Sequence, residues 1–129
     1  MLGTKGKQEL IVSPELTAKK VGSGVLDVFA TPMMVAFVEE TCWKSVADQL
    51  EEGQTTVGSL VNIQHLAPSP VGMKMTCESE LVEVDRKRLV FQVTVYDEVE
   101  EVGKGTHERF IINTDKFLVK AGEKAAKVK

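Results

Sequence analysis

The chain has 129 residues, 43% of them hydrophobic and 27% charged, which suits one globular domain with its own core. Its net charge of −3 and pI near 5.4 lack the basic footprint of a DNA- or RNA-binding surface. No stretch approaches the ~18 consecutive apolar residues of a membrane span, and MLGTKGKQEL has no apolar run before its first charges, so neither a span nor a signal peptide is expected.

The two cysteines, Cys42 and Cys77, have no ligand-like neighbours. They read as small buried hydrophobes of a reducing, cytoplasmic setting, with no metal site expected.

Residues 8–12 (QELIV) form a short strand candidate closed by Ser13-Pro14. Residues 16–24 (LTAKKVGSG) are polar and glycine-containing and read as a lead-in and mobile loop. Residues 25–29 deliver the chain to a long helix. Thr31 is placed to act as its N-cap, Pro32 as its first residue and Gly53 as its left-handed C-terminal cap. The roughly 18 or 19 residues between them would span about 28 Å. The first two turns, Met33 to Val38, are apolar almost all round, as in a helix buried against a sheet.

Glu40, Lys44 and Asp48 fall on a stripe that can face water. Glu39 instead shares the apolar face with Val35, Cys42, Trp43 and Val46. A carboxylate there snorkels from the edge of that face, pairs with an Arg or Lys from a strand, or serves a site that uses its environment.

After Gly53 the period changes from 3.6 to 2. Residues 55–66 read as a long strand, with His65 on the face of Val61 and Ile63. Ala67-Pro68-Ser69-Pro70 interrupts it. Residues 73–84, 88–96 and 102–113 follow as strands joined by turns, with Leu89, Phe91, Val93 and Val95 pointing inward. Gly103 and Gly105 mark a bend or a close backbone approach. The domain is expected over 1–118, with 119–129 as a basic, solvated tail that is disordered, frayed or weakly helical.

This order predicts an α+β fold: a mostly antiparallel, five-stranded curved sheet wrapped around one long central helix. A bare edge strand invites pairing, so a homodimer or higher homo-oligomer is expected. The alternative is a monomer whose edge is blunted by the loop around Pro68 and Pro70.

Each candidate for chemistry has a structural alternative. His65 could be a hydrogen-bonded core residue, and Thr31 only a helix cap. His107 and Arg109 take the opposite parity from Phe110 and Ile112 and could form a solvent-facing pair. Gly58 is a β-bulge or a point where a ligand approaches the backbone. Together they supply a hydroxyl at a helix start, a carboxylate two turns on and a histidine on the next strand. That is an inventory for acyl transfer. A Gly-x-Ser-x-Gly elbow and a glycine-rich phosphate loop are both absent from the sequence.

Val28-Phe29-Ala30-Thr31, Met34-Val35, Glu39, the stretch Gly58 through His65, and Gly105-Thr106-His107-Glu108-Arg109 resemble hotdog-fold thioesterases of the fluoroacetyl-CoA thioesterase type. The resemblance runs from about Ser13 to Phe117. It implies a hotdog fold, a dimer and hydrolysis of an acyl-CoA thioester. Thr31, Glu39 and His65 match the family's catalytic residues, and Gly58 and Arg109 match substrate-site positions. Coenzyme A enters as part of the substrate, with no further cofactor.

Fluoroacetyl-specific members carry an aromatic-rich lid before the helix, whereas the matching Val21-Gly22-Ser23-Gly24-Val25-Leu26 has no aromatic. This departure from the family pattern implies a different acyl group. A hydratase or dehydratase on the same fold, and a non-catalytic acyl-CoA-binding module, are the competing readings.

Overall fold

A computed structural model describes residues 1–128; Lys129, the last residue of the expected tail, lies outside them. The strands are β1 (Lys5–Ile11), β2 (Gln54–His65), β3 (Lys74–Asp85), β4 (Arg88–Tyr96) and β5 (Glu101–Asn113). They form one sheet in the order β1-β3-β4-β5-β2, and every pairing is antiparallel. The helices are α1 (Ala18–Val21), α2 (Thr31–Val46) and α3 (Thr114–Ala125). The expected α+β architecture is the one observed, with α2 packed across the sheet and touching all five strands.

The core lies between α2 and the sheet. Met34, Phe37, Val38, Cys42 and Val46 of the helix meet Met75, Cys77 and Leu81 of β3 and Leu89, Phe91, Val93 and Val95 of β4. The clean alternation along β4 follows from a central strand with one face on the helix. Each such buried side chain contributes roughly 1.5–3 kcal/mol relative to exposure. Gly103 of β5 makes room for the helix, since a Cβ there would stand 2.6 Å from Met34 Sδ.

Three local expectations are corrected. Residues 16–21 are not a loop: a 3₁₀ turn at Pro14–Leu16 leads into α1, whose N-cap Thr17 accepts from the Lys20 N–H, and only 22–24 stay irregular. Gly22, at φ +85°, ends α1 in the left-handed region. The N-cap of α2 is Ala30, with extended φ −75° and ψ 139°, so Thr31 is already helical. Gly53 does adopt φ +81°, but α2 has ended at Val46, its last core-facing residue. A 3₁₀ turn, Ala47–Gln49, intervenes, and Gly53 turns the chain into β2.

In the tail the helical alternative is the one observed. Residues 119–125 are helical in α3, which is capped by Asn113 Oδ1 accepting from the Lys116 N–H at 3.0 Å. Among the described residues no helix is long and apolar enough to cross a membrane.

Candidate active site

The site residues fall into two groups at different heights along α2. The first joins the start of α2 to the end of β2. Thr31 Oγ1 lies 2.7 Å from His65 Nδ1. Backbone bonds pin both sides of this contact. Phe29 N–H donates to Ser69 O and Ala30 N–H to Leu16 O, each at 2.9 Å, and Leu66 N–H donates to Val102 O at 2.7 Å. Because Ala30 caps the helix, the Thr31 hydroxyl is free for the imidazole.

A pocket of about 340 Å³ opens here, lined by Thr31 and His65 with Phe29, Ser23, Leu66 and Ala67. His65 Nε2 is buried without a hydrogen-bond partner among the described residues. Burial lowers the His65 pKa below its ordinary value, partly offset by the neighbouring Ala67 backbone, so the ring is neutral at pH 7. A neutral imidazole bonded to a hydroxyl can accept or pass on a proton at that pH.

The second group surrounds Glu39. Its Oε2 lies 3.7 Å from a terminal nitrogen, Nη1, of Arg109, realising the pairing with a strand arginine. The guanidinium is held from behind: Nε donates to Thr56 Oγ1 at 2.8 Å and Nη2 to Thr56 O at 2.9 Å. Nη1 is 3.1 Å from His107 Nε2, and His107 Nδ1 is 2.8 Å from Leu60 O. Arginine only donates, so His107 Nε2 accepts and its proton sits on Nδ1, which donates to Leu60 O.

Gly58 borders a β-bulge, the first of its two alternatives. The β2–β5 register shifts between Gly58 and Leu60, making Ser59 the extra residue of a bulge. A Cβ on Gly58 would lie 2.8 Å from Glu39 Oε2. The group that approaches this backbone is therefore the Glu39 carboxylate.

A solvent-facing His107 and Arg109 pair is overturned: they are 0% and 5% exposed, while Phe110 is 39% exposed. The inward face of β5 carries Gly103, Gly105, His107 and Arg109, because there it meets Met34 and Glu39 of α2. Gly103 makes room for Met34 and the polar pair lies toward the carboxylate, so hydrophobic parity inverts. Thr56 carried no sequence signal; it was found only because the guanidinium docks on it.

The structure thus brings Thr31 to His65, and Glu39 to Gly58 and Arg109, but does not gather all five. Thr31 and Glu39 are eight positions apart on one helix, about 12 Å at 1.5 Å per residue. Among the described residues no cluster of three His, Cys, Asp or Glu side chains has a metal-binding arrangement.

The chain as a whole is similar to known proteins. The sequence model of the fluoroacetyl-CoA-specific thioesterase family matches residues 12–115. A fluoroacetyl-CoA thioesterase of Streptantibioticus cattleyicolor is 39% identical over 98 residues, 76% of this chain and 70% of that protein. A solved structure of a fluoroacetyl-CoA thioesterase superposes with a TM-score of 0.91 at 32% identity, covering 96% of each chain. A thioesterase superfamily member from Thermus thermophilus superposes with a TM-score of 0.90 at 28% identity, over 100% of this chain and 97% of the other.

Proposed function

The chain belongs to the fluoroacetyl-CoA-specific thioesterase family and is a hotdog-fold acyl-CoA thioesterase, and from that premise we propose that Thr31, Glu39 and His65 are its catalytic groups. The observation that carries this reading is the Thr31–His65 hydrogen bond at the rim of a pocket beside the start of α2. Glu39 activates a water or attacks the thioester carbonyl itself. As the C–S bond breaks, His65 handles the proton that goes to the thiolate. Net, one water is consumed: its oxygen enters the acid, and its protons are shared between acid and thiol. Side chains, water and the substrate's own coenzyme A suffice, with no further cofactor.

The acyl group is taken to differ from fluoroacetyl. The segment before α2 presents Gly22, Ser23 and Gly24, and Val25 is 83% exposed; none of these closes an aromatic gate over a small acyl group. Arg109 serves the site from behind Glu39, since its donors are engaged with Thr56 and His107.

The working unit is taken to be a homodimer. β2 ends the sheet order, and its exposed Leu60 and Val61 lie midway along that strand. Antiparallel pairing of two β2 strands about a two-fold near Val61 and Asn62 would set Gly58 opposite His65 of the partner subunit. The Glu39 group of one protomer would then meet the Thr31–His65 group of the other, closing the ~12 Å gap left within one chain. Two free, buried cysteines fit a cytoplasmic setting.

The test is thiol release from a panel of short, branched, long and aryl acyl-CoAs, with Glu39→Gln alongside. Turnover on one class, reduced about 10²-fold or more in the variant, is expected. Near-wild-type turnover in Glu39→Gln would remove Glu39 from the mechanism. Hydration of crotonyl-CoA without thiol release would favour a hydratase, and binding without turnover an acyl-CoA-binding module. Sedimentation of the protein as a monomer at assay concentration would overturn the shared site.

A further inference from the structure

We propose that His107 is a positioning residue that holds the Arg109 guanidinium against Glu39 and thereby fixes the carboxylate for turnover; this rests on Glu39 acting in catalysis. His107 is fully buried, and both ring nitrogens are engaged, Nδ1 with Leu60 O and Nε2 with Arg109 Nη1. The same Nη1 is the guanidinium nitrogen 3.7 Å from Glu39 Oε2. His107 therefore anchors the very atom that faces the carboxylate. Thr56 holds the guanidinium by Nε and Nη2, and without Nε2 of His107 the Nη1 corner has no described hydrogen-bond acceptor.

The other end of the ring reaches the bulge that shapes the same site. Leu60 follows Ser59, the extra residue of β2, so the Nδ1 bond ties the bulge carbonyl to the Arg109–Glu39 pair. The ring stacks on Phe91 at 6.3 Å between centroids and 28° between planes, and its Cε1 would lie 3.2 Å from a Cβ on Gly58. Its orientation is thus fixed by packing as well as by hydrogen bonds. A phenylalanine would fill this space without the acceptor. The polar contacts are what a positioning role requires, since an anchored guanidinium loses less freedom when it orients the carboxylate.

The experiment measures kcat and KM for His107→Gln, His107→Asn and His107→Phe, each alone and in a Glu39→Gln background, with thermal unfolding of every variant. The Gln amide oxygen reaches the Nε2 position and can accept from Arg109; the shorter Asn amide reaches only the Nδ1 position. Gln is expected to keep kcat within about threefold, whereas Asn and Phe lose about tenfold or more with KM little changed. In the Glu39→Gln background the Asn and Phe losses are expected to vanish, because the group they act through is gone.

A folded Asn or Phe variant with wild-type kcat would overturn the proposal. So would a Gln variant as impaired as Phe, or an Asn loss that persists undiminished without Glu39. A wild-type rate in Glu39→Gln alone would instead sink the catalytic reading beneath it. If Phe does not fold, the Gln–Asn comparison decides.

Discussion

The Thr31 hydroxyl lies 2.7 Å from Nδ1 of His65, joining the first residue of α2 to the last residue of β2. Thr31 is exposed and does not cap its helix, so its side chain can be removed at little cost to folding, within about 0.5 kcal/mol. Thr31→Ala is expected to lower kcat by about ten- to a hundredfold, while Thr31→Ser, which keeps the hydroxyl, retains most of it. Steady-state kinetics with parallel urea unfolding checks both halves; an Ala variant as active as wild type would leave the hydroxyl without a catalytic part.

Gly58 tests the other group. An added methyl would stand 2.8 Å from Glu39 Oε2 and 3.3 Å from Arg109 Nη1, below or at the limit of ordinary contact, so the carboxylate must move. Gly58→Ala is expected to fold and to lose about tenfold or more in kcat, the scale of a misplaced catalytic group. A crystal structure of the variant should show Glu39 displaced. An unchanged rate with Glu39 in place would mean that the site tolerates the methyl.

The two histidines set an acid limit on stability. Burial lowers the pKa of both His65 and His107 from the ordinary value of 6.5. At His107 the Leu60 carbonyl opposes this and the Arg109 charge adds to it. Between each folded pKa and about 6.5 the unfolded chain binds more protons than the folded one, so stability rises with pH there. Their contribution is therefore fully present above about pH 6.5 and is lost as pH falls below it. Urea midpoints should drop between pH 7.5 and 5.5, and less steeply in His107→Gln; an equal slope in that variant would assign the effect elsewhere.

The cysteines bear on the assay itself. Cys42 and Cys77 are 0% exposed, and burial raises both thiol pKa values, that of Cys77 to about 11. Neither is a thiolate near neutrality, so neither reacts readily. The folded protein is expected to give no fast reaction with a thiol reagent and to react at both thiols in denaturant. Fast labelling of the folded state would contradict this burial.

Much of the frame was legible in local pattern. The alternation of Leu89, Phe91, Val93 and Val95 revealed the central strand, and the apolar run from Met33 to Val38 revealed the buried helix, because periodicity reports which face meets a core. Helix α1 was missed because Thr17 and Gly22 bound only four helical residues, too few for periodicity to show. Phe110 pointed the wrong way because β5 turns a polar face inward.

Sequence alone determined much of the core, the order of the long helix and the five strands, and, by likeness to a family, which hydroxyl, carboxylate and imidazole to propose as catalytic. Tertiary structure alone settled what each of them touches. Thr31 meets His65 across 34 positions and Arg109 docks on Thr56 across 53, and no local pattern encodes such distances. They follow from register: the β2–β5 pairing and its bulge at Ser59 set Gly58 beside Arg109. The rise of α2 keeps Glu39 about 12 Å from Thr31, because a helix separates along its axis residues that the sequence places close together.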